Sequence, residues 1–305
     1  MCLQTMALKI SELNISDKVN LDKYFKSADL KASELNFTNL FMWRDYYNFR
    51  YSIVNDFLCI IAMMEVDQPY CFFPIGDYNR LGELRCAIYM LREYFQEAGW
   101  NFKLQRVPAE QVELMEQLGF NYTATEDRNN FDYVYSVQSL STLAGKKLDG
   151  KRNHINKFKK LYTFEYEEIT QNNISDCKEI LEKWCIQRDY LKDASLIAER
   201  TANLDLLDNY DVLGLKGAII KVDGTPQAFT VGEQLNKNTV VIHIEKANSD
   251  IHGLYPLVNQ QFLANQWADL EYVNREQDLG LEGLRKAKLS YNPVSFVEKY
   301  TVELC

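Results

Sequence analysis

The strongest constraint on how this chain folds is a block of helix, strand and helix that occurs once in each half. In residues 81–98, Leu84, Ala87, Ile88, Leu91 and Phe95 recur at helical spacing, and Gly99 suits the position just past a helix end. The alternating run 102–107 predicts a strand. Pro108 then opens a second helix over 109–118, closed by Gly119, and Phe120 begins a return strand. The second half repeats this order, with a helix over 254–267, a strand over 270–274, a helix over 281–291 and a strand over 294–302. Upstream of each block lie strand-like runs, 51–63 and 71–74 in one half and 217–222, 227–234 and 239–244 in the other. Asp223-Gly224 is a hairpin turn between two of them. Helices are expected before these runs, over 30–47 and 174–193, with a further helical cross-piece near residue 150.

Composition narrows the class. With 47% hydrophobic and 25% charged residues, the 305-residue chain is globular, large enough for two domains, and not disordered. No apolar window approaches the length of a membrane-spanning helix, and residues 1–13 lack the pattern of a secretion signal. Seven cysteines without a CxxC pair read as reduced thiols, and the expected location is cytoplasmic. The net charge of −9 is opposite in sign to that of a protein coating duplex nucleic acid. The excess is uneven, however. Residues 146–160 carry seven Lys or Arg and one acid, so an anionic partner would be met locally.

The order of elements in each half resembles the GNAT (acyl-CoA N-acyltransferase) fold, and the run LMEQLGF at 114–120 is similar to the helix end and turn before its penultimate strand. Four segments, FTNLFMWRDYY (37–47), LAGKKLDGKRNHINKF (143–158), VIHIEKAN (241–248) and YVNREQDLGLEGLRKAKLSYNP (272–293), resemble the DUF2156 family. That family is related to the C-terminal domain of phosphatidylglycerol lysyltransferases. The spacing matches at Gly283, Leu284, Arg285, Lys288, Tyr291 and Pro293. The resemblance implies an α/β (α+β) protein of two tandem GNAT-like domains with mixed sheets flanked by helices. It also implies transfer of an aminoacyl group from tRNA. The expected division is a first, degenerate domain over 1–145 and an active domain over 146–305, with the basic segment 146–160 at the junction.

Several residues are candidates for the chemistry. Asn274, Arg275, Glu276, Gln277 and Asp278 place five polar groups where a strand leaves its sheet, and Arg285 and Lys288 share a face of the next helix. His243 and Glu245 are two apart on a strand and so lie on one face. A core histidine with a rim glutamate is the plainer account of that pair. The expected catalytic residues are Glu245, Asp278, Arg285 and Lys288. Arg285 and Lys288 are expected to stabilise an oxyanion, and Asp278 or Glu245 to hold a substrate ammonium. His243, Asn274, Arg275, Glu276 and Tyr291 are expected to bind substrate. Lys151, Arg152, Lys157 and Lys159 are expected to track tRNA phosphates. Lys151, Arg152 and Asn153 are similar to a segment of the peptidoglycan-bridge aminoacyltransferases, although a solvated helix face also explains such a run.

No metal site is expected from three histidines without clustered Cys or Asp, and no cofactor is expected. The expected function is aminoacyl transfer from aminoacyl-tRNA to a small-molecule or lipid head-group acceptor. The alternative is an N-acyltransferase using coenzyme A, against which stands the absence of a Gly-rich pyrophosphate loop at 247–255, where Gly253 is the one glycine. A catalytically silent binding protein is the third reading.

Overall fold

The computed structural model describes residues 8–64 and 67–305, so the expectations for residues 1–7, Cys2 included, lie outside it. The chain forms two compact units, one of 1–131 with 297–305 and one of 132–296.

The first unit opens with strand β1 (Ser11–Glu12), helices α1 (Lys18–Ser27), α2 (Phe37–Met42) and α3 (Arg44–Tyr47), and the hairpin β2 (Phe49–Val54) and β3 (Phe57–Ala62). It continues with β4 (Tyr70–Cys71), α4 (Leu81–Glu97), β5 (Lys103–Pro108), α5 (Ala109–Gln117) and β6 (Tyr122–Glu126). Helix α4 forms as its spacing predicts, burying Leu84, Ala87, Ile88, Leu91 and Phe95. Gly99, at φ 74°, completes a Schellman end in which Trp100 N–H donates to the Phe95 carbonyl and Gly99 N–H to that of Gln96. The expected run 51–63 is two strands, not one. Asn55 and Asp56, both left-handed, make a turn without the glycine that usually announces it.

The second unit begins with β7 (Asp132–Ser136), α6 (Val137–Thr142), α7 (Asp149–Leu161), β8 (Phe164–Glu168), α8 (Ile174–Gln187), α9 (Ala194–Asp208) and α10 (Tyr210–Leu213). It continues with β9 (Lys216–Val222), β10 (Thr225–Asn236), β11 (Thr239–Ala247), α11 (Leu254–Gln266), β12 (Tyr272–Asn274), α12 (Glu282–Leu289) and β13 (Ser295–Val297). Asp223 and Gly224 form the predicted hairpin turn, both at positive φ. One core face is built from α6, α7 and α11 against Ala218, Ile220 and Val222 of β9, Val240 and Ile242 of β11, and Val273 of β12. Ile219, between two of these, is also fully buried, so the sheet is covered on both sides, and α8 packs against β10 and β11.

The last strand, β14 (Lys299–Leu304), returns to the first sheet. The two sheets have matching orders, β1-β2-β3-β4-β5-β14-β6 and β8-β9-β10-β11-β12-β7-β13. Each therefore holds, between its fifth strand and its edge, a strand that follows the other sheet's edge strand in sequence. The expected single strand over 294–302 breaks at Glu298 into β13 and β14, which belong to different sheets. The expected division at 145/146 likewise falls inside the second unit, because β7 and α6 are part of it. Cys59, Cys71, Cys177, Cys185 and Cys305 are free thiols. Among the described residues no helix is long and apolar enough to cross a membrane.

Candidate active site

The second sheet opens between two of its strands. β11 runs parallel to β12 for three residues, Thr239, Val240 and Val241 against Tyr272, Val273 and Asn274. It then continues to Ala247 with only β10 as partner. In that opening lies a cavity of about 640 Å³, lined by residues of α7, α8, α9, β11, α11 and α12 and of the segment after β12.

A bulge shapes its floor. Val231 of β10 faces Ile244 and the next residue, Gly232, faces Ile242, so His243 has no partner across the ladder. Bulges of this kind re-aim side chains, and both Ile242 and His243 line the cavity. Gly232 is required there, because a Cβ would lie 2.4 Å from the Val241 carbonyl oxygen. The His243 ring is buried between two carboxylates, with Nε2 3.0 Å from Glu233 Oε1 and Nδ1 3.3 Å from Glu276 Oε1. Burial opposes its charge, but the two hydrogen-bonded carboxylates outweigh burial and raise its pKa to about 9. The ring is an imidazolium at neutral pH.

Arg275, the first residue after β12, donates through Nη2 to Glu245 Oε1 at 2.7 Å, and Asn259 of α11 donates to Glu245 Oε2 at 2.9 Å. The guanidinium also lies over the Tyr291 ring at 4.7 Å, and its Nη1 is buried without a hydrogen-bond partner. Burial works against that charge, while Glu245 and the nearby tyrosines restore it and hold the pKa above the ordinary arginine value. Lys288 of α12 donates to the Arg275 carbonyl at 2.5 Å. Burial, and then the Arg275 charge, bring its ammonium down to about 8. Lys151 of α7 sits 4.1 Å from the Tyr291 ring centre, and its pKa is lowered by the same two causes.

Of the expected site residues, the structure gathers Glu245, Lys288, His243, Arg275, Glu276, Tyr291 and Lys151 around this cavity. The others it places elsewhere. Asp278 is fully buried and paired with Arg285, which donates Nε to Oδ2 at 2.8 Å and Nη2 to Oδ1 at 2.9 Å. Tyr133 and the Gly280 N–H add two more bonds. Burial disfavours the Asp278 charge, yet these donors hold its carboxyl well below the usual range. Asp278 and Arg285 thus clasp the segment after β12 to α12, and neither lines the cavity. Asn274 is buried against Asp132 and caps the Glu276 N–H. Arg152 donates to the Leu143 and Gly145 carbonyls just past α6, so it is a structural cap and not an exposed charge. Lys157 and Lys159 are exposed on α7, away from the lining.

The sequence reading missed the opposite wall. Trp184 and Arg188 at the end of α8, Leu196 and Glu199 of α9, Lys246 of β11 and Tyr255 of α11 also line the cavity. Lys246 is nearly buried, ion-paired with Glu199 and 3.6 Å from the Trp184 ring centre. A lysine inside an apolar strand was the available signal. The wall residues of α8 and α9 carried none, and α9 itself fell in a stretch with no assigned element.

The strand order repeated in both units and the opening between parallel β11 and β12 define a tandem GNAT-like protein. The tandem GNAT protein of the clavulanic acid biosynthesis pathway shares this fold at 8% identity, with 98% of each chain covered and a TM-score of 0.51. Residues 25–303 match the family described as phosphatidylglycerol lysyltransferase, C-terminal, and the chain belongs to that family. A crystal structure of a conserved protein of unknown function from Bacteroides thetaiotaomicron is 34% identical, covering 98% of this chain and 100% of that one at a TM-score of 0.91. The C-terminal domain (DUF2156) of a putative lysylphosphatidylglycerol synthetase from Agrobacterium fabrum is 13% identical, covering 95% and 92% at 0.66. An uncharacterised protein of Mycoplasmoides gallisepticum is 27% identical over 177 residues, and the match spans 57% of this chain and 56% of that one.

Proposed function

We propose that this chain transfers an aminoacyl group from an aminoacyl-tRNA to a small or lipid acceptor. The observation that carries the reading is the cavity at the open end of β11 and β12, where Arg275, Lys288 and Glu245 meet. Membership in the phosphatidylglycerol lysyltransferase C-terminal family supports the same class of reaction. In the transfer, the acceptor's oxygen or nitrogen bonds to the ester carbonyl carbon and the carbonyl oxygen takes up negative charge. The bond to the ribose oxygen then breaks. The Arg275 guanidinium, which lines the cavity, is suited to stabilise that oxyanion. Lys288, near 8, takes the proton from the acceptor as a neutral amine and returns it to the ribose oxygen. Glu245 faces the donor's α-ammonium, and Lys151 a phosphate of the tRNA end. The first unit serves as the scaffold copy.

The test supplies purified protein with tRNA charged with labelled amino acids. The acceptors are vesicles of phosphatidylglycerol and phosphatidylcholine, or a pool of water-soluble amines and alcohols. Label should pass from tRNA into a lipid or a small product, and prior RNase treatment should abolish it. Label passing from acetyl-coenzyme A to an amine, with none from tRNA, would replace this reading with the acyl-CoA one.

A further inference from the structure

An ammonium on a ligand is held in a protein by a carboxylate or by an aromatic face. In this cavity the protein's own cations already occupy both. Glu199 is paired with Lys246, Glu245 with Arg275 and Glu276 with the His243 imidazolium. The Trp184 ring carries Lys246 at 3.6 Å and Arg188 at 4.0 Å, and the Tyr291 ring carries Lys151 at 4.1 Å and Arg275 at 4.7 Å. Lys151, Arg188 and Lys288 line the same space without a salt-bridge acid among the described residues. One α-ammonium fits, because the carboxylate of Glu245 has lone pairs beyond the two it uses. A second ammonium would enter a field of like charge.

We propose that the cavity selects a donor whose amino-acid side chain is uncharged or anionic and rejects a lysyl or arginyl one, with Arg188 setting that preference at the Trp184 wall. The inference rests on the aminoacyl-transfer reading. It follows from how charges are already spent inside the cavity, where the family's description names a lysyl group.

The test is calorimetric binding of three stable donor-end analogues, the 3′-amino-3′-deoxyadenosine amides of alanine, aspartate and lysine. The lysyl analogue should bind about tenfold more weakly than the alanyl one, and because Arg188 is exposed the gap should narrow with added salt. Arg188→Glu should close most of it by strengthening lysyl binding and should weaken aspartyl binding. Lysyl binding equal to or tighter than alanyl in the unaltered protein overturns the selectivity and leaves aminoacyl transfer standing. A wide gap that Arg188→Glu does not change removes Arg188 from the proposal. If none of the three binds, the donor reading fails, and the selectivity with it.

Discussion

An ammonium group brought down to about 8 by burial and a neighbouring guanidinium changes charge within the range where acyl transfer is assayed. If Lys288 accepts the acceptor's proton, kcat/KM should rise with pH through about 8. Lys288→Met should lose that limb together with a factor on the order of 10²–10⁴ in rate. His243 titrates in the opposite sense. Its folded pKa, about 9, lies above the ordinary 6.5, so its stabilisation is complete below about 6.5 and is lost as pH climbs through 9. Denaturant titrations of the protein and of His243→Gln should therefore differ most near pH 6, by up to about 3 kcal/mol, and converge above pH 10. A constant difference across that range would mean the ring is not charged in the fold. Arg275 was legible because polar side chains at the end of an apolar strand stand out in a sequence, and Lys288 because it shares a face of the next helix with Arg285. Asp278 and Arg285 stood out equally, yet their charges neutralise each other, and a sequence shows charge without showing pairing.

Between residues and fold stand the elements that aim them. The bulge of β11 turns His243 into the cavity, and it relies on Gly232 for the approach of the two backbones. Gly232→Ala sets a Cβ against a main-chain oxygen that cannot swing aside, so thermal unfolding should show a loss of about 1–3 kcal/mol, with transfer reduced further by the displaced strand. The clasp between Asp278 and Arg285 is the second such device. Asp278→Asn, which removes the negative charge paired with Arg285, should lower transfer through kcat while analogue binding at the Trp184 wall stays near its original strength. Regular alternation predicted that His243 and Glu245 share a face, but alternation contains no sign of an inserted residue. The Asp223-Gly224 turn was readable from its glycine. Asn55-Asp56, doing the same work without one, was not.

At the scale of the whole molecule, the duplicated block fixed the two sheets correctly while hiding which strand closes each. Reading a sequence from left to right assigns every strand to the nearest half, and nothing in residues 294–304 signals a change of sheet. Removing residues 298–305 should leave β5 and β6 without their shared neighbour and the buried Glu34 without Lys299, its ion-pair partner at 2.5 Å. Hydrogen exchange should then show lost protection at 103–108 and 122–126, and unchanged protection there would mean the sheet closes without β14. The same exchange sets a timetable for the nascent chain. About 170 residues separate β6 from β14, and at about 5–20 residues per second the ribosome needs roughly 10–35 s to supply them. Throughout that interval β5 has a bare edge and β6 lacks its sheet partner, the kind of surface that recruits stray strands. A pause in translation just before β14 should therefore cost this protein more soluble yield than the same pause placed just after residue 48, before the hairpin of the first sheet has been made.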